Sequence, residues 1–255
     1  MPQWNPEQYE KFIKNRTQPA IDLVNRLDFI EPESIIDIGC GPGNSTRVLK
    51  DKFPNAKVTG VDNSLEMLEK ARGLHPDLEF IQLDATGDLS EISEKFDIVF
   101  SNACIQWLPN HGDLLSKLMS LLKPNGVLAL QTPMQEEHPV HIIINGLLST
   151  EKWSEKLTPR QYYNLSTEKY FDVLSGISSD FAIWETTYCH RMPSYESIIE
   201  WYKGTGLRPF LEQLTESDAN GFINDVYNEL KCKYKVRKNG EILFRFPRLF
   251  FIARK

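Results

Sequence analysis

The chain has 255 residues, of which 41% are hydrophobic, and carries a net charge of −6. This length is enough to bury one full core with an insertion, and no apolar run approaches the roughly 20 residues needed to cross a bilayer. Because an acidic chain repels the phosphate backbone, nucleic acid is not expected as a partner. Because no apolar run is long enough to span a bilayer, a membrane is not expected as a partner either.

The N-terminal region predicts a helix and no targeting signal. Its first ten residues, MPQWNPEQYE, have neither a basic start nor an apolar stretch, so we expect no signal peptide. Residues 18–27 carry apolar side chains at helical spacing, with Pro19 suited to the first turn. The four cysteines are widely scattered along the chain, which favours free thiols in a cytoplasmic protein.

Residues 34–44 read SIIDIGCGPGN, an apolar strand that ends in an acid and breaks into Gly39, Gly41 and Gly43. The pattern predicts a strand followed by a tight turn, where a ligand can lie against backbone N–H groups at the start of a helix. No Lys-Ser or Lys-Thr pair follows the glycines, which excludes a phosphate loop. A dinucleotide-binding fold stays open at this point.

Four further strands are predicted along the next ninety residues, at 57–61, 78–83, 96–101 and, after a KPNG turn, 126–131. Asp62 follows the second strand of the chain, at a position where an acid can accept both hydroxyls of a ribose. Asp84 follows the third strand and Asn102 the fourth. Polar residues at the carboxyl ends of strands mark the edge where open α/β sheets bind ligands.

The remaining residues predict helical layers around two more strands. Residues 133–176 are irregular and rich in aromatic side chains, which indicates a packed insertion, and residues 194–236 indicate helices. Strands are expected near 181–190 and 242–253. Pro247 predicts a bulge in the last strand, because proline cannot donate to the ladder.

The glycine loop and the strand-end acids resemble the class I methyltransferases that use S-adenosylmethionine. The resemblance implies a Rossmann-like α/β fold with a seven-stranded, mostly parallel sheet, helices on both faces and a helical cap. Residues 1–255 would form one methyltransferase domain. Within it, residues 34–132 would bind the cofactor, the N-terminal helices at 1–33 would cover it, and helical insertions at 133–176 and 191–240 would cap the substrate.

The same resemblance assigns cofactor contacts to the strand ends. Asp37 and the glycine loop would meet the methionine part, Asp62 the ribose and Asp84 the adenine. S-adenosylmethionine carries no phosphate, which suits a loop without a basic clamp. The implied cofactor residues are Trp4, Tyr9, Arg16, Asp37, Gly39, Cys40, Gly41, Asp62, Asn63, Met67, Asp84, Ala85 and Asn102. For the first three, a plain helix packed on the body is the alternative.

Five segments extend the resemblance to the trans-aconitate 2-methyltransferase family. They are WNPEQYEKF at 4–12, IGCGPGNST at 38–46, NACIQWLPNH at 102–111, TGLRPFLEQLTES at 205–217 and FPRLFFIARK at 246–255. They reach from one end of the chain to the other, so coincidence does not account for them. The resemblance implies methyl transfer from S-adenosylmethionine to a carboxylate of a small polyacid, giving the monomethyl ester and S-adenosylhomocysteine.

Such a reaction needs no general base, because a carboxylate is already deprotonated at neutral pH. Positioning and desolvation can supply most of the acceleration. No catalytic acid or base is therefore predicted. His138 and His141 could be imagined as metal ligands, but Pro139 lies between them and no further ligand pair follows, so no metal site is expected.

The charge distribution points to the C-terminal part of the chain for substrate binding. Residues 1–185 hold 17 Lys and Arg against 27 Asp and Glu, a net charge of −10, whereas residues 186–255 hold 12 against 8, a net charge of +4. A solvated helix face is the alternative for the lysines at 231–238. A small polyanion needs only a few convergent cations in a pocket.

Arg208 and Arg248 are the leading substrate-binding candidates, because a guanidinium can form a bidentate pair with a carboxylate. Pro209 predicts an extended or turn backbone at Arg208. The alternative for both arginines is a surface salt bridge. The weaker candidates, each also explained as a structural residue, are Gln106, Trp107, Tyr188 and His190.

The sequence thus predicts a cytoplasmic S-adenosylmethionine-dependent carboxyl methyltransferase with no obligate protein partner, acting on trans-aconitate. Two alternatives stay open. One is a carboxyl methyltransferase for another acid, such as a malonyl thioester or a lipophilic acid, since one fold serves many acceptors. The other is a non-catalytic cofactor-binding protein whose acceptor pocket is blocked.

Overall fold

The computed structural model describes residues 6–28, 30–87, 89 and 92–255, with side chains from residue 15 onward. Within these residues, no helix has the length and apolar content that a membrane span requires. The chain divides into two compact units. The sheet unit comprises Arg16–Pro133, Tyr162–Thr186 and Arg248–Lys255, and the helical unit comprises residues 6–15, Met134–Gln161 and Thr187–Pro247.

Seven strands form one sheet. Their bounds are β1 (Ser34–Ile38), β2 (Lys57–Asp62), β3 (Glu79–Gln82), β4 (Phe96–Asn102), β5 (Leu122–Pro133), β6 (Phe181–Met192) and β7 (Ile242–Arg254). The strand order is β3-β2-β1-β4-β5-β7-β6. The first five strands pair in parallel, and β7 pairs antiparallel with β5. The predicted seven-stranded, mostly parallel α/β sheet is confirmed.

Helices follow β1, β2 and β4. They are α2 (Asn44–Lys52), α3 (Leu65–Leu74) and α4 (His111–Ser120). Ser64 caps α3, because its Oγ accepts a hydrogen bond from the Met67 backbone N–H at 3.3 Å. The glycine loop forms the turn between β1 and α2. Asn63 and Ser64 form the turn between β2 and α3.

The first helix, α1 (Pro6–Val24), begins earlier than predicted. The prediction covered only its second half, where Ala20, Leu23 and Val24 are buried. Pro19 lies inside the helix and not in its first turn, so the expected start was wrong. A proline in the interior removes one backbone hydrogen bond of the helix.

One predicted detail of the strands was also wrong. The KPNG segment at 123–126 is not a turn before β5 but a bulge within it, since Phe96 pairs with Leu122 whereas Ile98 pairs with Val127. The expected bulge at Pro247 stays a prediction, because Pro247 lies just beyond the paired residues of β7 and β5, whose register is continuous from Arg254 to Arg248. The Pro247 carbonyl accepts a hydrogen bond from the Met134 N–H at 3.1 Å.

The helical unit packs around one core rich in aromatic side chains. Its helices include α5 (Pro139–Leu148), α6 (Glu151–Ser154), α8 (Tyr195–Lys203), α9 (Arg208–Leu211) and α10 (Glu216–Lys233). Trp153 and Phe222 lie at the centre with their ring centroids 5.1 Å apart. The indole N–H of Trp153 donates to Asp225 Oδ2 at 2.8 Å, which satisfies the buried polar atom. The predicted helices between 194 and 236 are confirmed.

Helix α7 (Thr167–Ile177) groups with the sheet unit, although the sequence placed it in an insertion ending at residue 176. Tyr170 explains the difference, because it is fully buried and its hydroxyl lies 2.6 Å from Nδ1 of His111 in α4. Its ring also packs 5.4 Å from that of Phe251 in β7. The first segment of the helical unit after β5 therefore ends at Gln161.

Candidate active site

Strand register places the predicted acids on one face of the sheet. Asp37 in β1 lies opposite Gly60 in β2 and Phe100 in β4. Side chains alternate along a strand, so residues two positions apart share a face. Asp62 is two residues beyond Gly60, and Asn102 is two residues beyond Phe100. Asp37, Asp62 and Asn102 therefore lie on the same face, at the carboxyl ends of three neighbouring strands.

The same register extends this face to an arginine. Gln131 in β5 lies opposite Asn102, and Pro133, two residues further, lies opposite Arg248 in β7. Gln131 and Arg248 therefore share the face that carries the acids. We call these five residues the polar row, which runs in sheet order through Asp62, Asp37, Asn102, Gln131 and Arg248. Its acidic end, with Asp62 and Asp37, and its basic end, Arg248, lie on different strands of the sheet unit.

Asp37 is fully buried at the centre of the acidic end. Its Oδ2 accepts hydrogen bonds from Ser45 Oγ and Thr46 Oγ1, both at 2.7 Å and both from the first turn of α2. Burial raises the pKa of Asp37 to about 6, against the lowering effect of these two hydrogen bonds. Its Oδ1 is buried with no hydrogen-bond partner among the described residues.

Asp62 closes the glycine loop onto the end of β2. Its Oδ2 accepts from the Gly41 N–H and its Oδ1 from the Ser64 N–H, each at 2.9 Å. Both oxygens keep further acceptor capacity, because a carboxylate offers about four lone-pair sites. Asp62 is thus fixed in orientation and still able to bind hydroxyl groups of a ligand.

The glycines of the loop are required for two different reasons. Gly39 has φ +70° and a Cβ there would lie 2.1 Å from the Cys104 Sγ, so the protein itself fills that space. Gly41 has φ +53° and a Cβ there would meet nothing within 4 Å. Gly41 therefore borders open space that a ligand can use. Cys40, between them, is buried, and burial raises the pKa of its thiol.

The residues predicted for the adenine side differ in exposure. Asn63 and Asp84 are exposed, Met67 is half-buried and Ala85 is buried. Asp84 Oδ1 accepts from both the N–H and the hydroxyl of Thr86, and the hydroxyl hydrogen bond lowers the pKa of Asp84. This carboxylate is therefore held in one orientation beyond the end of β3.

The predicted N-terminal cover can be located only in part. Trp4 lies outside the described residues, and so does the side chain of Tyr9 in α1. Arg16 lies in α1 and is half-buried, within the sheet unit. Their contacts to a cofactor stay predictions.

The acidic end suits a ligand group that carries positive charge or N–H donors. Oδ1 of Asp37 and Oδ1 of Asn102 are both buried acceptors without a hydrogen-bond partner among the described residues, and they share one face. Buried oxygens of this kind cost stability unless a donor reaches them. Gly41 leaves space beside them, so a ligand with an ammonium group fits the donor set that this end requires.

Arg248 forms the basic end and is only 7% exposed. Its Nη1 donates to Gln131 Oε1 at 3.2 Å. Gln131 was missed by the sequence analysis, although it ends the predicted fifth strand just as Asn102 ends the fourth. Ser45 and Thr46, which hold Asp37, were also missed, and their place directly after the glycine loop was the available signal.

Gln106 and Trp107 lie in a short 3-10 helix (Ile105–Trp107) that follows β4. Gln106 is buried, donates to the Ala103 carbonyl at 2.6 Å and accepts from the Thr132 hydroxyl at 3.3 Å. The indole of Trp107 is 36% exposed and packs 4.9 Å from the ring of Tyr162. Gln106 is thus held as a structural polar group, and Trp107 has a partly open ring face.

The other substrate candidates belong to the helical unit. Arg208 begins the four-residue helix α9, so the expected extended or turn backbone was wrong, because a proline is tolerated in the first turn of a helix. Its guanidinium is exposed and donates to Glu212 Oε1 at 2.8 Å, as in the surface alternative. The rings of Tyr188 and His190 are stacked 6.2 Å apart. Substrate binding by these three residues stays a prediction.

Comparison with known proteins identifies the family. A family model described as a methyltransferase domain matches residues 35–126. Over 256 aligned residues the chain is 40% identical to trans-aconitate 2-methyltransferase of Escherichia coli O157:H7, covering 100% of this chain and 99% of that protein. The enzyme of the same name from Shigella flexneri is similar to the same degree and over the same share of both chains.

Solved structures agree on the fold. The YcgJ protein of Bacillus subtilis has a TM-score of 0.61 at 18% identity, covering 93% of this chain and 98% of that one. Phosphoethanolamine N-methyltransferase 2 of Haemonchus contortus, solved with S-adenosylhomocysteine, has a TM-score of 0.60 at 20% identity, covering 97% and 56%. The chain therefore belongs to the trans-aconitate 2-methyltransferase family, within the class I methyltransferases that use S-adenosylmethionine.

Proposed function

We propose that this protein transfers a methyl group from S-adenosylmethionine to a carboxylate oxygen of trans-aconitate. The observation that carries the proposal is the polar row, whose acidic end suits a cationic methyl donor and whose arginine suits an anionic acceptor. The full-length identity of 40% to relatives named for this reaction supports the same substrate.

The cofactor end of the site is proposed residue by residue. Asp37 and Asn102 would accept from the ammonium group, Asp62 from the ribose hydroxyls and Asp84 from the adenine. When bound, S-adenosylmethionine supplies a methyl group on a positively charged sulfur. The glycine loop would let this ligand approach the backbone at Gly41, where a side chain would occupy the same space.

On the acceptor side, the protein would act by binding and orientation alone. A carboxylate needs no deprotonation at neutral pH, so no residue has to remove a proton. Arg248 would neutralise a carboxylate that leaves water, because burying an unpaired charge is very costly. Holding the acceptor in line with the methyl group can itself lower the barrier by several kcal/mol, about 7 or more in favourable cases.

Methyl transfer from labelled S-adenosylmethionine to a panel of acids tests the proposal. The panel contains trans-aconitate, other small polyacids, a malonyl thioester and a lipophilic acid. We expect trans-aconitate to give the highest kcat/KM. A higher value for another acid would replace the proposed acceptor, and S-adenosylhomocysteine binding without any turnover would indicate a cofactor-binding protein. Asp62→Ala serves as the control that should lose cofactor binding.

The proposed setting is cytoplasmic, with the small acid as the partner and neither nucleic acid nor a membrane as a ligand. The cytoplasmic setting is supported by the four cysteines, all of which are free thiols in the structure. Gel filtration of the purified protein with and without trans-aconitate would reveal an assembly that the proposal does not include.

A further inference from the structure

Gln131 is a buried polar residue directly after the buried apolar residues 127–130 of β5. It is fully buried in β5, next to the buried Leu130 and Thr132. Its Nε2 is buried and has no hydrogen-bond partner among the described residues. A buried donor without a partner destabilises the folded protein, so the presence of this amide requires a specific explanation.

The carbonyl oxygen of the same amide provides the explanation. Oε1 of Gln131 accepts a hydrogen bond from Arg248 Nη1 at 3.2 Å. A guanidinium has only donors, so the amide oxygen must face it and the NH₂ group must face away. Turning the amide to satisfy Nε2 would place two donors against each other. The unpartnered Nε2 is therefore a consequence of holding Arg248.

We propose that Gln131 is a positioning residue that orients the Arg248 guanidinium to bind a carboxylate of the methyl acceptor. This inference rests on the proposed function. A neutral amide suits the task, because it fixes one N–H of the guanidinium without neutralising the charge. A carboxylate at the same position would form an ion pair with Arg248 and take up donors that the acceptor needs.

Gln131→Glu tests whether acceptor binding depends on Arg248, since it keeps the shape of the side chain and adds one negative charge. If Arg248 does not bind the acceptor, Gln131→Glu should leave the acceptor KM unchanged, because the added charge would only pair with Arg248; the Gln131→Met cycle below then isolates the positioning role. Positioning predicts a KM for trans-aconitate that is about 10- to 100-fold higher, with the S-adenosylhomocysteine Kd within twofold of the wild type. Gln161→Glu, at an exposed position of the helical unit, is the matched control.

Gln131→Met provides an independent measurement, because it removes the amide at nearly constant volume. We expect the acceptor KM to rise by about 3- to 10-fold in an otherwise wild-type chain and to change by less than twofold in an Arg248→Ala background. Equal effects in both backgrounds would mean that Gln131 does not act through Arg248, which would overturn the inference. This cycle also decides the question if Gln131→Glu does not fold.

Wild-type turnover, measured first, distinguishes the inference from the function on which it rests. If the wild type methylates none of the acids, both are overturned. If it methylates trans-aconitate while Gln131→Glu and Gln131→Met keep the wild-type KM, only the positioning role is overturned. A raised acceptor KM in both variants, with unchanged cofactor binding, supports the proposed function and the positioning role.

Discussion

The two ends of the polar row are held in place in different ways. At the acidic end, Asp37 is bound by hydroxyls eight and nine residues further along the chain, and Asp62 by a backbone N–H only two residues away. At the basic end, Arg248 is held by Gln131, which lies 117 residues earlier. The hydrogen bonds of the two acids thus join residues no more than 21 positions apart, whereas Arg248 is held by a residue 117 positions away.

This difference teaches which part of a site can vary independently. A strand, a glycine loop and a helix start supply the hydrogen bonds that hold Asp37 and Asp62. The position of Arg248 depends on the pairing of β7 with β5, so we expect a change in that pairing to move the arginine without breaking the hydrogen bonds of the acids.

Gly39→Ala is expected to destabilise the fold most. The added Cβ would lie 2.1 Å from the Cys104 Sγ, at φ +70°. Overpacking and a left-handed backbone together predict a loss of about 2–5 kcal/mol in the free energy of unfolding, measured by urea denaturation. Gly73→Ala in α3 is the control, with open space around its Cβ, and should stabilise by about 0.5–1 kcal/mol. Equal effects at the two glycines would contradict the packing of the loop.

Asp37 predicts a pH-dependent stability at the acidic end. Burial raises its pKa from 3.8 to about 6, so between these values the folded state binds more protons than the unfolded state. The contribution of this group to stability therefore falls as pH rises from about 4 to about 6, by about 3 kcal/mol, and then levels off.

Urea denaturation of the wild type and Asp37→Asn across this pH range measures that contribution. The variant should gain stability relative to the wild type as pH rises to about 6, while S-adenosylhomocysteine binding weakens. Parallel stability curves would show that Asp37 does not titrate in this range.

Asp62→Ala should weaken S-adenosylhomocysteine binding by about 1.5–3 kcal/mol, the loss expected for charged hydrogen bonds to ribose hydroxyls. Isothermal titration calorimetry measures this directly. Asp62→Asn is the control that keeps acceptor oxygen and volume. If both variants bind like the wild type, Asp62 is not a cofactor residue.

Arg248→Ala should raise the KM for trans-aconitate by about 10- to 100-fold, equivalent to roughly 1.5–3 kcal/mol, and leave cofactor affinity almost unchanged. Arg208→Ala should have a smaller effect, because Arg208 is exposed and paired with Glu212. Steady-state kinetics of Arg248→Ala, Arg248→Lys and Arg208→Ala would show which arginine contributes more to the KM for trans-aconitate. A larger effect for Arg208 would move the acceptor site away from the polar row.

The smallest expected effect is that of pH on the saturated rate. With no proton to remove, kcat should be nearly constant from about pH 6.5 to 8.5. A bell-shaped profile, together with a solvent isotope effect on the methyl-transfer step, would show that a residue acts as an acid or base.

The strands, the glycine loop and the strand-end acids were predictable because they are contiguous in the sequence, whereas their contacts to a cofactor stay predictions. The strand, the glycine loop and Asp62 follow each other within thirty residues, and parallel strands bring their carboxyl ends to one edge of a sheet. The separate roles of Gly39 and Gly41 were not predictable, since they depend on Cys104, which follows β4. The start of α1 was missed although Tyr9, Phe12 and Ile13 have helical spacing, because the polar run at 14–18 separates them from the apolar second half.

The acceptor-binding candidates could be predicted only as separate residues, two arginines and four weaker polar or aromatic side chains, and their roles stay predictions. Arg248 could be named from the basic C-terminal region, but its partner Gln131 depends on β7 lying between β5 and β6, which no local pattern specifies. Arg208 was equally plausible by composition, and its exposure and its pairing with Glu212 become evident only in the folded chain.

The late place of β7 in the chain also bears on biosynthesis. Until β7 has been made, β5 has no neighbour on one side and presents an edge of unpaired backbone groups next to the buried Val127, Leu128 and Leu130. Such an edge is a site where a nascent or partly folded chain can pair with another copy. Substitutions that weaken the pairing of β7 with β5 are therefore expected to reduce the yield of folded protein in cells, in addition to any effect on turnover.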